Sequence, residues 1–486
     1  MNRGGQPGIC FGTDGWRGII ADDFTFVRVC QVTRAIATYL ATVYPLDRPV
    51  LIGYDTRFLA AEFAQTAAEV LSEEGRRVWQ VDRDCPTPVL AYHARSQPSA
   101  GALMFTASHN PAMYCGLKYI PHWGAPAPIH ITDAISQALS RVSDALPQGT
   151  RGDRITLFNP RPAYLARLKE LLDLPRLRQA GLRVKFDALY SVTRGYLDQA
   201  LRDYGCEVET LHAQRDVLFG GRSPQPCSEQ LESLREAVLR DGADLGVATD
   251  GDGDRFGILD EQGNYCTPDE ILLLLTRHLY QKGERGAIVR TLDTTHALDQ
   301  LAQRYGLDCY ETPVGFKYIG EIMGRVPVLI GGESSGGLSI GRHLPEKDGI
   351  LANLLVVEAI ALAQKPLSVL IQEAIAEAGG KRYNQRLDFP LPMVQIRPFL
   401  DNLRQTPPKE LAGIPLDKIN SQDGLKFYLQ DSSWVLLRPS GTEPLLRASL
   451  ETDSPQKQRE LAQALQSLLA PFQNSIKFGV ENWDRE

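Results

Sequence analysis

Short apolar runs alternate with amphipathic stretches along this chain, and the alternation repeats. The run Val50–Asp55 (VLIGYD) leads into an alanine-rich stretch with apolar positions at helical spacing through Leu71. Gly75 and a second apolar run at Arg77–Val81 follow. The same order recurs at Leu182–Asp187, a helical stretch through Leu201, Gly205 and Cys206–Val208. It recurs again at Ala287–Asp293, a helical stretch through Tyr305, Gly306 and Asp308–Tyr310. Each copy predicts a strand ending in aspartate, a helix stopped by a glycine in a left-handed cap, and another strand, which is a βαβ unit. Further strands are predicted at Gly101–Phe105, Gly116–Ile120, Ala243–Ala248, Phe256–Asp260 and Val326–Ile330. The copies lie a domain's length apart, so the pattern predicts three tandem α/β domains with mixed sheets.

The last hundred residues read differently. Pro390, Pro392, Pro398, Pro407 and Pro408 interrupt them, Gly424–Leu429 and Ser433–Arg438 predict a hairpin, and Gln456–Leu469 has the spacing of an amphipathic helix. A smaller C-terminal α+β domain is expected. The boundaries fall at 1–152, 153–262, 263–379 and 380–486, with linkers where Pro147, Gly149 and Gly152 cluster and at Gly379-Gly380.

Composition narrows the partners. The 486 residues are 43% hydrophobic and 23% charged, which leaves material for several cores. The net charge of −7 and the lack of any Lys/Arg-rich run exclude a nucleic-acid partner, and they require any phosphate site to be locally basic. Eight scattered cysteines with no Cys-x-x-Cys pair point to reduced thiols and a cytoplasmic setting. The polar, Gly-rich N-terminus lacks a signal-type core. The longest apolar runs, such as Ile271–Leu275, are too short to span a bilayer, so no membrane partner is expected.

Five segments carry candidate chemistry. Asp250-Gly-Asp-Gly-Asp-Arg255 follows a predicted strand. Its carboxylates repel one another unless a cation sits among them, and hard oxygen ligands favour Mg²⁺ or Ca²⁺. An EF-hand needs Gly where Arg255 stands and helices where strands flank. A phosphatase nucleophile loop of the Asp-x-Asp type fits less well than a metal cage, because the fifth residue is a third Asp. Ser108-His109-Asn110-Pro111 ends another strand, with no Gly-x-Ser-x-Gly elbow and no triad geometry between adjacent residues. Beside a metal cage, Ser108 can carry a phosphoryl group, with Lys118 neutralising charge and His109 moving protons. Gly331–Gly337 places Glu333 and Ser335 on a glycine loop suited to sugar hydroxyls. Arg438-Pro-Ser-Gly-Thr442, with Arg447 nearby, suits a phosphate dianion, and it lacks the Walker spacing. Gly12–Gly18 sets Arg17 among glycines as a second phosphate ligand. The remaining histidines have no ligand spacing.

Together and in this order, these segments resemble the α-D-phosphohexomutases, most closely the phosphoglucomutase/phosphomannomutase branch. The resemblance runs through Gly12–Gly18, Thr106–Pro111 with Gly116–Lys118, Asp250–Arg255, Gly332–Gly336 and Arg438–Thr442, and so spans all four predicted domains. It implies four domains around a central cleft, and a phosphoserine at Ser108 that binds Mg²⁺ together with Asp250, Asp252 and Asp254. It further implies that Arg17, Lys118 and Arg255 surround the transferring phosphoryl group, with His109 moving protons. Glu333 and Ser335 would read the sugar hydroxyls. Arg438, Ser440, Gly441, Thr442 and Arg447 would grip the phosphate that is not transferring, and Lys317 and Arg290 would line the cleft. The implied reaction interconverts hexose 1-phosphate and hexose 6-phosphate, glucose before mannose, through a hexose 1,6-bisphosphate. Glucose 1,6-bisphosphate would be the activator, and the protein a monomer or weak dimer. A hexose 1,6-bisphosphate synthase would share every motif. A metal-dependent phosphatase or a non-catalytic phosphosugar binder would share some. Cys115 and Gly337 depart from the family pattern, where Asn and His are usual, and Trp16 and Thr106 lean away from the glucosamine-phosphate branch.

Overall fold

The computed structural model describes residues 9, 11–12, 15–148, 153–439 and 445–474. Each predicted βαβ unit forms. Strand Val50–Tyr54 is followed by helix Ala60–Glu73 and strand Val78–Val81; Arg183–Asp187 by Leu197–Asp203 and Glu207–Leu211; Ala287–Thr291 by Ala297–Tyr305 and Cys309–Thr312. The three helices stop where the chain turns through Gly75, Gly205 and Gly306, all at positive φ. In each unit the two strands pair in parallel.

Four sheets result. The first contains β1 (Trp16–Ile19), β2 (Val50–Tyr54), β3 (Val78–Val81), β4 (Ala102–Phe105), β5 (Tyr114–Ile120) and β6 (Ile155–Phe158), in the order β1-β5-β4-β2-β3-β6. The second contains β7 (Arg183–Asp187), β8 (Glu207–Leu211), β9 (Leu245–Thr249), β10 (Phe256–Leu259) and β11 (Tyr265–Cys266), in the order β11-β10-β9-β7-β8. The third contains β12 (Ala287–Thr291), β13 (Cys309–Thr312), β14 (Val328–Gly332) and β15 (Leu338–Ile340), in the order β13-β12-β14-β15. The fourth is antiparallel throughout: β16 (Tyr383–Pro390), β17 (Glu410–Leu411), β18 (Ile414–Asn420), β19 (Leu425–Leu429), β20 (Trp434–Pro439) and β21 (Leu445–Thr452), in the order β16-β21-β20-β19-β18-β17. The first three sheets mix parallel central strands with antiparallel edges, which is the α/β class expected.

Strands run past two of the expected boundaries. β6, beyond residue 152, pairs in parallel with β3 and belongs to the first sheet. The second sheet runs on past residue 262 through β11. The prolines after 380 do not break up the fourth domain: Pro390 ends β16, Pro392 precedes helix Met393–Gln405, and Pro398 lies inside that helix. β1 takes in Arg17, which pairs across to Gly116 on β5.

No single helix among the described residues is long and apolar enough to cross a membrane. The most apolar, Gly349–Ala363, is bent by 92° from Leu367–Glu377 and is buried along nearly its whole length, as a core helix must be when apolar on every side. The seven described cysteines are all free.

The third and fourth domains meet over two carboxylates, the half-buried Asp269 and the buried Glu451. Asp269 accepts from the Thr295 N–H at 3.3 Å and from Asn384, while Glu451 accepts from the His296 N–H and the Trp434 indole. Burial and the facing Glu451 push the Asp269 carboxyl up to about 7. A carboxyl raised in the folded state favours folding below its unfolded pKa and loses that contribution as pH rises through the raised value. Asp269→Asn is therefore expected to melt higher than the parent at pH 8, by several degrees, and to show little gain at pH 5. Thermal melts across that range check it.

Candidate active site

The catalytic candidates lie at the C-terminal ends of the parallel strands, where open α/β sheets hold their ligands. The chain leaving β4 turns sharply so that Ser108 takes a left-handed φ of 51° and is 1% exposed. Its Oγ donates to Asp250 Oδ2 at 2.6 Å, across the boundary between the first and second domains. His109 Nδ1 stands 3.5 Å from the same Oγ.

The chain leaving β9 forms the acidic loop. Asp250, Asp252 and Asp254 are fully buried and their ligand oxygens lie within 4.8 Å of one another. Glycine is required between them for two reasons. A Cβ at Gly251 would sit 2.5 Å from the Ser108 carbonyl oxygen. Gly253 has φ +73, and its Cβ would meet Thr193 at 2.6 Å. The loop is held by Arg255 N–H donating to Asp250 Oδ1 at 3.1 Å, and by Thr87, which donates both its hydroxyl (2.7 Å to Asp252 Oδ2) and its N–H (2.9 Å to the Asp252 carbonyl).

Cations from two other domains enter this acidic centre. Lys118 on β5 donates to Asp252 Oδ2 at 2.9 Å and Asp254 Oδ2 at 3.0 Å. Lys347 Nζ lies 3.3 Å from Asp254 Oδ2 and 3.0 Å from Glu346 Oε1. Burial, then the neighbouring Asp252 and Asp254, push the Asp250 carboxyl well above the usual range. Asp254 Oδ1 is buried and accepts no hydrogen bond; Arg255 Nε stands 3.9 Å from it. A cage of hard oxygens with an unfilled acceptor fits a divalent metal of the Mg²⁺ type. The cationic side of the site acts on His109. Arg255, burial and Arg17 push its imidazole down to about 2, so it is neutral at working pH. Arg17 Nη1 donates to Asn110 Oδ1 at 2.6 Å, which orients the guanidinium toward the serine loop.

The sugar-loop residues stack on the acidic loop. Arg255 bridges to Gly337, and the Phe256 N–H donates to the Gly336 carbonyl. Glu333 is buried and Ser335 exposed. A Cβ at Gly337 would fall 2.4 Å from Lys347 Cδ and 3.1 Å from Glu333 Oε2, so the absence of a side chain there makes room for Lys347. In the fourth domain, Arg438 on β20 lies directly opposite Arg447 on β21. Arg438 pairs with Asp423 at 2.8 Å, and Asp423 in turn accepts from the Val314 N–H; Arg447 lies 3.8 Å from Asp388. Ser440, Gly441 and Thr442 lie outside the described residues. Lys317, 8% exposed, is in the first turn of helix Phe316–Met323.

Arg290 is placed elsewhere. It is buried on β12, pinned by Asp299 at 2.7 Å and Glu311 at 2.5 Å beside Lys426. Its donors are engaged by two carboxylates of the third domain, and it lines a pocket shared with Asp417, Lys418 and Tyr428 of the fourth. Sequence reasoning missed Thr87, Lys347, Asp55 and Arg57. Asp55 showed only as the aspartate ending a repeat strand, and Lys347 as part of a charged Glu-Lys-Asp triplet just before a largely apolar helix.

Four family models match in order: phosphoglucomutase/phosphomannomutase alpha/beta/alpha domain I over residues 8–145, domain II over 162–263, domain III over 267–378 and the C-terminal domain over 400–467. The chain belongs to the phosphoglucomutase/phosphomannomutase family. It is similar to a probable phosphoglucosamine mutase of Methanothermobacter thermautotrophicus, 31% identical over 92% of this chain and 95% of that one. It is also similar to a phosphoglucosamine mutase of Methylococcus capsulatus, 30% identical over 95% and 98%. A putative phosphomannomutase from Thermus thermophilus has a structure that superposes with a TM-score of 0.83 at 32% identity, covering 95% of this chain and 99% of that one. Like its family, this protein is an enzyme of the mutase type, an intramolecular phosphotransferase, with a metal-binding aspartate triad.

Those relatives' names run against the lean of Trp16 and Thr106 away from the glucosamine branch. The structure gives the reason. Trp16 is 3% exposed and stacks on Phe24, while Thr106 bonds to Asp55 and to the Ser108 N–H. Both are framework residues and neither reads a sugar. Cys115 likewise is a core residue under the loop.

If Gly337 exists to seat Lys347, Gly337→Ala and Lys347→Ala should each lower mutase kcat/KM by about tenfold or more, and the double variant should be no worse than Lys347→Ala alone. Steady-state kinetics of the three variants check it.

Proposed function

We propose that this protein interconverts the 1-phosphate and 6-phosphate of a neutral hexose, glucose first and mannose second, through phosphoserine 108 and a hexose 1,6-bisphosphate. The observation that carries the reading is the 2.6 Å bond joining the Ser108 hydroxyl to the aspartate triad. A serine so placed has its phosphoryl group beside the metal-binding carboxylates, with Lys118, Arg17 and Arg255 around it. In the forward half-reaction the substrate's 6-hydroxyl attacks the phosphoserine phosphorus. The new P–O6 bond forms as the P–Oγ bond breaks, and the proton given up by the 6-hydroxyl is taken up by Ser108 Oγ, beside which the His109 imidazole stands. The bisphosphate then turns over, and its 1-phosphoryl group returns to Ser108 Oγ. The aspartates, with the phosphoserine, would hold Mg²⁺, which withdraws charge from the transferring oxygens. Positioned charge of this kind is most of what phosphoryl transfer requires. Arg438 and Arg447 would hold the other phosphate with the loop between them, and Glu333 and Ser335 would contact the sugar hydroxyls.

The preference for a neutral sugar rests on charge. Burial pushes Glu333 up to about 7, even though the cationic Lys347 and Arg255 both act to lower it. Two cations already face the carboxylate that would meet the sugar. A third, the ammonium of an aminohexose, is repelled by both.

Turnover with glucose 1-phosphate, Mg²⁺ and a trace of glucose 1,6-bisphosphate should yield glucose 6-phosphate, and should be abolished by Ser108→Ala and by EDTA. kcat/KM for glucosamine 1-phosphate should be about tenfold lower or more. Net accumulation of bisphosphate or release of inorganic phosphate would overturn the mutase reading. Equal or better use of glucosamine 1-phosphate would overturn the neutral-sugar reading.

A further inference from the structure

Arg57 has no place in the chemistry above, yet it is completely buried and lies directly beneath the serine loop. Its guanidinium donates four hydrogen bonds to main-chain carbonyls of that one loop. Nη2 reaches Ser108 O at 2.6 Å and Asn110 O at 2.7 Å; Nη1 reaches Pro111 O at 2.8 Å and Tyr114 O at 3.0 Å. The remaining donor, Nε, binds Asp55 Oδ2 at 3.0 Å, and both side chains of that ion pair are fully buried. Asp55 Oδ2 also accepts from the Thr106 hydroxyl at 2.6 Å, and that hydroxyl accepts from the Ser108 N–H at 2.8 Å. Ser108 is therefore gripped on both sides of its α-carbon, by Arg57 at its carbonyl and by Thr106 at its N–H. It is the residue of this loop in the left-handed region, which L side chains adopt at a cost.

The grip extends to the second domain. The Arg57 guanidinium lies over the Phe219 ring at 5.0 Å, and Ser223 Oγ donates to the His109 carbonyl. Phe219 and Ser223 come from the long connection between β8 and β9, the strand that delivers Asp250. The same connection that covers Arg57 thus lies against the loop on the side facing the aspartates.

We infer that Arg57 is the positioning residue of the phosphoryl-transfer serine. Its bonds to the Ser108, Asn110, Pro111 and Tyr114 carbonyls hold Ser108 in a left-handed conformation with its hydroxyl on the aspartate triad. This rests on the reading of Ser108 as the phosphoryl carrier. No other side chain fits the task. A planar fork with five donors in fixed directions can satisfy four diverging carbonyls and one carboxylate, whereas a lysine ammonium has three donors and one centre. A serine free to relax from φ 51° swings its Oγ away from Asp250 Oδ2. A displacement of about 1 Å at a reacting atom costs on the order of 100-fold in rate.

The test follows phosphoryl uptake on Ser108 from α-D-glucose 1,6-bisphosphate, by intact mass and peptide mapping, in the full-length chain with Mg²⁺. Wild type, Arg57→Lys, Thr106→Val and Thr106→Ser are compared for the single-turnover rate, the half-saturating bisphosphate concentration and the melting temperature. Arg57→Lys should label about 100-fold more slowly, with half-saturation changed less than about threefold. Thr106→Val should also slow labelling, and Thr106→Ser, which keeps the hydroxyl, should restore it. A general structural role would lower the melting temperature and weaken half-saturation together, leaving the labelling rate of the folded fraction unchanged; that result overturns the proposal. Wild-type rates in Arg57→Lys overturn it while leaving Ser108 as carrier. Should Arg57→Lys fail to fold, the two Thr106 variants decide: equal rates in Val and Ser overturn the proposal. Absence of label on wild-type Ser108 overturns the carrier reading itself, and the positioning role with it.

Discussion

Three buried carboxylates on one five-residue loop set the terms for this molecule. Asp250, Asp252 and Asp254 are wholly excluded from solvent, and their oxygens crowd within 4.8 Å. Left alone, such a cluster takes up protons and expels its neighbours; removing one partner from a buried charge pair typically costs about 3–5 kcal/mol. The chain answers by bringing charge from outside the loop. Lys118 arrives from the first sheet and Lys347 from the third domain, while Thr87 and the Arg255 N–H supply hydrogen bonds. Three domains are thereby tied to one point, and the cluster serves as both the chemical centre and the joint of the molecule.

Because Lys118 and Ser108 lie on one β4–β5 hairpin, the register of that hairpin matters. Met104 pairs with Lys118 and Phe105 with Leu117, so the lysine projects from the hairpin that also carries the serine loop. A slip of one residue would turn Lys118 to the other face and leave Asp252 and Asp254 without their shared donor. The register of this hairpin therefore serves function as much as the core. On the other side of the centre, the Tyr164 hydroxyl of the second domain donates to Asp348, which caps the helix immediately after Lys347. That buried bond fixes where the helix begins, and with it the reach of Lys347.

Much of this was legible in the chain itself. The strand–helix–glycine–strand order gave the three α/β units because period and glycine stops are local signals, and Gly75, Gly205 and Gly306 do take positive φ. The Asp-Gly-Asp-Gly-Asp segment betrayed itself because its repulsion has no local remedy. What stayed hidden depends on pairing across distance. β6 gives no sign that it returns to the first sheet, and Pro398 gives no sign that a helix runs through it. Arg57 reads as an ordinary arginine after a strand, since the carbonyls it binds lie more than fifty residues away. The engagement of Arg290 is equally hidden: nothing local reveals that Asp299 and Glu311 both close on it.

Both halves of the proposed cleft carry cations, and this bears on how a bisphosphate could serve as an intermediate. At the serine end Lys118, Lys347, Arg17 and Arg255 stand against the aspartate triad. In the fourth domain two guanidinium-bearing residues, Arg438 and Arg447, are cross-strand neighbours, an arrangement that costs stability unless anions lie near. Asp423 and Asp388 offset part of that charge from the flanks. A phosphate dianion between the two arginines would complete it by bidentate pairing. A sugar carrying phosphate at one end satisfies the arginines and leaves its free hydroxyl at the serine end. A sugar carrying phosphate at both ends satisfies the arginines with either one. On the proposed reading, the fourth domain is then indifferent to which phosphate it grips, and that indifference lets a single serine act at both O1 and O6 without a second catalytic apparatus.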